Sequence, residues 1–81
     1  MKDQIVAGAQ DAARELGYEL VSRSVSHHQT GETAYAFGFA AHGLKASVEF
    51  LVNDADVLRL GLTPRDYARW EVLDALRRPA G

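Results

Sequence analysis

Between Thr33 and Asn53 the chain alternates between two kinds of side chain for two consecutive runs, and a pair of residues, His42 and Gly43, separates them. Alternation marks a strand with two distinct faces, and a two-residue break containing glycine marks the reversal of a hairpin. Both residues of such a turn need positive φ, which glycine adopts freely and histidine tolerates better than most. The expected register sets Thr33 opposite Val52, Tyr35 opposite Phe50, Phe37 opposite Val48, Phe39 opposite Ala46 and Ala41 opposite Leu44. Every bulky residue of the first strand then shares one face. The other face carries Ala34, Ala36, Gly38 and Ala40 opposite Leu51, Glu49, Ser47 and Lys45. Slipping one strand by a single residue would send its large side chains to the wrong side, so the pattern itself specifies the pairing.

Ahead of the hairpin, Ile5, Val6, Ala9, Ala12, Ala13 and Leu16 recur at three- and four-residue spacing, a single apolar stripe on a helix from about Asp3 to Leu16. Gly17 supplies a left-handed stop, and Gly8 weakens the helix slightly. The three alanines let this helix lie close to a sheet whose aromatic rings fill the space beneath.

Tyr18 to about His27 reads as the first strand. Tyr18 and Leu20 share one parity and Val21 and Val25 the other, so either a bulge near Leu20 or a twisted edge is expected. The loop from His28 to Glu32 turns at Gly31.

Behind the hairpin, Asn53 caps a short helical turn with Asp54 and Asp56 in its start, stopped by Gly61. Thr63 and Pro64 open a longer helix. Its stripe is read as Tyr67, Trp70, Leu73 and Leu76, widened by Val72 and Ala75, which makes Tyr67 and Trp70 core residues. Arg77 and Arg78 meet its negative end, and Pro79 closes it. The fold class is α+β: helix, three-stranded antiparallel meander, short helical turn, helix, in one domain over residues 1–81, with both long helices on one face of the sheet.

With no cysteine there is no disulfide, which suits a reducing compartment, and the first residues lack the apolar run of a signal peptide. A cytoplasmic protein is expected. Nine Lys and Arg against eleven Asp and Glu give a net charge of -2, which argues against non-specific nucleic-acid binding. No metal or cofactor site is expected: on a strand His27 and His28 point apart, and His42 lies roughly 25 Å further on. Asp54 and Asp56 are ordinary first-turn acids. No glycine stands before a helix in the spacing of a phosphate loop.

The run from Leu16 to Gln29, with Ser26-His27 at its core, resembles the segment of HicA-type toxins where a helix ends at glycine and a Gly-Ser-His motif leads into the next strand. That family's fold is similar to the double-stranded-RNA-binding domain, which has the same element order. The resemblance implies an mRNA-cleaving enzyme held by a protein antitoxin, with His27 as general acid and base at a ribose 2′-hydroxyl. Val25 stands where that family has glycine, and the chain is acidic where those toxins are basic.

The second face of the hairpin is the more informative feature. Ala34, Ala36, Gly38 and Ala40, with Lys45, Ser47 and Glu49 beside them, form a flat surface that no other segment is long enough to cover. The expected function is therefore a small protein-binding module, a regulator or inhibitor, or a self-associating subunit, with a protein partner or a second copy on that face and no membrane. The alternative is the ribonuclease with His27, the one reading in which the chain is an enzyme and RNA a partner.

Overall fold

The computed structural model describes residues 2–78. In chain order the elements are α1 (Lys2–Leu16), β1 (Glu19–His27), β2 (Thr33–Ala41), β3 (Leu44–Val52), α2 (Asp54–Arg59) and α3 (Pro64–Arg77). The strands form one antiparallel sheet in the order β1-β2-β3. This is the architecture expected from the pattern; the expected closure at Pro79 lies outside the described residues.

The turn carries the register. His42 has φ 50° and Gly43 φ 79°, so both central residues are left-handed, as a two-residue hairpin that follows the sheet's twist demands. All nine pairs from Thr33 with Val52 to Ala41 with Leu44 form as the alternation requires. Tyr35, Phe37 and Phe39 are thereby buried on one side together with Val48 and Val52.

These rings seed a larger cluster. Phe37 lies 6.3 Å from Phe39 and 6.0 Å from Phe50, and Tyr35 stacks on Phe50 at 5.9 Å. Tyr18 meets Phe39 edge-on at 6.5 Å, and Tyr67 of α3 meets Phe50 edge-on at 6.4 Å. Every Phe and Tyr of the sequence belongs to this one network. Each such pair adds about 0.5–1.5 kcal/mol to the burial of its rings.

Both long helices cover this aromatic side. Ile5, Ala9, Ala12 and Ala13 of α1 and Ala68, Val72 and Leu73 of α3 are buried in the same core. The small residues of α1 bring it closest to α3: a methyl group at Gly8 would overlap the carbonyl oxygen of Arg65 and lie 2.9 Å from both the Ala68 Cβ and the Arg69 nitrogen. Gly8 is thus a packing residue whose helix-weakening cost is offset by the contact it permits. Asp11 accepts two hydrogen bonds from Arg65, 2.6 Å from Nε and 2.9 Å from Nη2, and Glu15 accepts one from Arg69 Nε at 2.7 Å. Partners one turn apart on each helix pair in the same order, so α1 and α3 run parallel. The Arg65 guanidinium holds the Asp11 carboxyl below its usual range.

Local signals end the helices as read. Gly17 has φ 76°, and Tyr18 N–H donates to the Ala13 carbonyl at 2.8 Å. Asn53 Oδ1 accepts from Ala55 N–H at 2.9 Å, and Thr63 Oγ1 from Asp66 N–H at 3.1 Å. The expected bulge is present at Val21, where the β1 register shifts between Leu20 and Ser22.

One expectation fails. Trp70 is 57% exposed and does not belong to the core. A helix turns about 300° in three residues, so a strict series of threes drifts roughly 60° per step around the cylinder. The series therefore does not stay on one face: Leu73 is buried and Tyr67 and Leu76 pack against the core beside Ala68, Val72 and Ala75, while Trp70 is carried round to solvent. In α2 only Val57 is buried; Leu58 is 77% exposed.

Two outcomes follow from this packing. Gly8→Ala should lower stability by about 1–3 kcal/mol in urea unfolding, because backbone on α3 must move to admit one methyl, whereas Trp70→Gln should change it by less than about 0.5 kcal/mol. The Asp11 pair contributes stability that is present above the ordinary aspartate pKa of 3.8 and is lost as pH falls through the lowered folded value. Asp11→Asn should therefore lower the melting temperature at pH 6, by an amount that shrinks as the pH is brought below 3.8, measured by circular dichroism.

Candidate functional site

The face turned away from both helices is built in rows across three strands. The pairing places Ser26 beside Ala34 and Leu51, Ser24 beside Ala36 and Glu49, Ser22 beside Gly38 and Ser47, and Glu19 beside Ala40 and Lys45. Lys45, Ser47 and Glu49 are exposed, and Leu51 is 51% exposed. Ala34, Ala36, Gly38 and Ala40 are half-buried only because they lie between taller neighbours. The seven residues expected to form the binding surface are thus brought together on one side.

The structure adds β1 to that surface. Ser22, Ser24 and Ser26 form its third column, which the sequence pattern alone leaves unplaced. Their common parity was the available signal, but it becomes readable only once the bulge is placed at Val21. The bulge also explains Gly38: a methyl there would overlap Ser22 Oγ and lie 3.8 Å from Val21 Cγ2, so the extra residue of β1 leans two side chains over this one position.

A shallow depression of about 470 Å³ runs over Ser24, Ser26, Ala34, Ala36, Glu49 and Leu51. A second one continues it past Ser22, Gly38 and Ser47. Chemically the trough offers hydroxyl groups, one carboxylate at Glu49, an apolar edge at Leu51 and a floor of methyl groups. Such a lining can seat side chains and exchange hydrogen bonds, and it contains no paired acid and base.

His27 lies elsewhere. It ends β1 on the helix side of the sheet, exposed, with Nδ1 3.4 Å from Thr33 Oγ1. The backbone of His28 closes the following loop, its N–H donating to the Glu32 carbonyl at 2.9 Å and its carbonyl accepting from Gly31 N–H at 3.1 Å. His42 occupies the opposite end of the sheet. Among the described residues no group of three or more His, Cys, Asp or Glu is placed to hold a metal ion.

Titration gives little support to a reaction centre. Burial raises the carboxyl of Glu71 on α3, and nearby Asp74 adds to the effect. Burial likewise raises the hydroxyls of Tyr35 and Tyr67 in the aromatic cluster. All three belong to the helix side or the core, where such shifts accompany packing. No charged or polar residue is fully buried among the described residues.

No family model, curated protein or solved structure matches the chain. Among the described residues no helix is long and apolar enough to cross a membrane.

Proposed function

We propose that the chain is a protein-binding module, a regulator or inhibitor of a protein partner, and that its contact surface is the open face of the sheet. The observation that carries this reading is the segregation of the Phe and Tyr rings to one side of the sheet. All six Phe and Tyr rings are on or beneath the helix-covered side, while the opposite side stays flat, uncharged along its centre and, among the described residues, uncovered. A face of Ser, Ala and Gly has little side-chain entropy to lose on contact. It is therefore suited to receive a partner's larger side chains in the trough between Ser24, Ala36 and Leu51.

Area sets the scale of the contact. Three strands of nine residues present about 430 Å² of face, from the ordinary strand spacing and rise. A standard interface takes about 800 Å² from each partner. One copy alone thus supports a weak, reversible association.

The ribonuclease implied by the local resemblance remains the competing activity. Element order is shared with that fold, but fold does not carry function, and the contact made by the His27 ring is a threonine hydroxyl and not an acid, base or phosphate-binding cation.

The test compares the proteins captured by the purified chain, by Ala36→Arg and by Gln10→Arg on the exposed side of α1. A partner set retained by Gln10→Arg and lost by Ala36→Arg, with both variants keeping the wild-type circular dichroism, is the expected result. Retention by Ala36→Arg would remove the open face as the contact. Expression of the chain should leave growth unaffected; arrest relieved by His27→Ala would favour the nuclease instead.

A further inference from the structure

The two edges of the sheet differ. β1 is interrupted by the bulge at Val21, a device that disturbs pairing along an edge. β3 has β2 as its one neighbour and runs nine residues without a bulge or proline. In a two-residue hairpin the pair next to the turn, Ala41 with Leu44, is hydrogen-bonded across the ladder. The backbone groups of Leu44, Ala46, Val48 and Phe50 therefore point toward β2, and those of Lys45, Ser47, Glu49 and Leu51 point outward. The outward groups have no backbone partner among the described residues.

The side chains along this edge are symmetric in charge. Lys45 and Glu49 lie two positions on either side of Ser47, and all three project from the open face. A second β3 running antiparallel, with Ser47 opposite Ser47, sets Lys45 of each copy directly opposite Glu49 of the other. The outward backbone groups at these three positions then form closed hydrogen-bonded pairs. On the helix side the same register sets Leu44, 66% exposed in the single chain, opposite the half-buried Phe50 of the second copy. Charge, backbone and apolar surface agree on this one register. The slip that centres on Val48 would set Lys45 opposite Leu51 and Glu49 opposite Ser47, losing both direct ion pairs.

We propose that the chain forms a two-fold symmetric dimer in which the β3 edges of two copies pair antiparallel about Ser47. The product is a continuous six-stranded sheet with four helices on one side. This dimer stands on the edge and does not depend on the open face as a binding surface. If that reading also holds, the joined faces offer about 860 Å² from the same strand spacings, the area a standard interface takes from one partner.

Sedimentation equilibrium on the intact chain and four variants tests it, at concentrations up to about 1 mM, the range of the weakest specific contacts. The wild type should be a monomer-dimer equilibrium. Lys45→Glu and Glu49→Lys should each weaken it about tenfold or more, since each places two like-charge pairs across the junction. The double variant Lys45→Glu with Glu49→Lys should restore it. Ser47→Pro should abolish the dimer while the circular dichroism spectrum stays that of the folded chain, because the lost N–H faces outward. A sixth sample, Ala36→Arg, should dimerise as the wild type does. A monomer throughout, a double variant no tighter than the single ones, or a dimer broken by Ala36→Arg overturns the edge pairing.

Discussion

The reversal at His42 and Gly43 is the constraint on which the rest of the molecule depends. Two left-handed residues join β2 and β3 without slack, so the pairing of nine residue pairs has one solution. Because side chains alternate strictly along a strand, that solution decides at once where Tyr35, Phe37, Phe39 and Phe50 go. Once four rings share a side, the remaining tyrosines and both apolar helix stripes have one surface to bury against. The layer order of the protein follows from a local turn and a two-residue period.

Helix packing then does the rest with small residues. An 81-residue chain without disulfides has few ways to gain stability beyond close contact. Here Gly8 and three buried alanines of α1 allow α3 to approach closely, while the large rings of the sheet fill the space below both helices. The ion pairs of Asp11 with Arg65 and Glu15 with Arg69 lie along the outer seam of that contact. Being partly solvent-exposed, they orient the two helices more than they stabilise them. Both helices are committed to this arrangement, and neither is left to cover the second face of the sheet.

Much of this was legible in the residues. The hairpin register, the caps at Asn53 and Thr63, the stop at Gly17 and the small-residue column of β2 all rest on local chemistry that a sequence states directly. What was not legible depends on three-dimensional geometry. Trp70 stands in a series of threes that reads as one face of a helix, but the helical drift carries it round to solvent. Gly8 looked like a weak point of a helix, since nothing in α1 alone reveals a second backbone beside it. The serines of β1 joined the open face only after the bulge fixed their parity. The outward direction of the β3 backbone groups likewise required the hydrogen-bonding phase of the ladder.

A face of methyl and hydroxyl groups and an unbulged edge lie open on one side of the sheet, and the core is confined to the other. Thiol labelling of single-cysteine variants tests the segregation behind this description most directly, because the chain has no cysteine of its own. Ala36→Cys and Ser47→Cys should react with a maleimide at close to the rate of an unstructured thiol, while Val48→Cys and Val52→Cys should react only as fast as the protein unfolds. Equal protection at Ser47 and Val48, or a protected Ala36 position in the monomer, would contradict it.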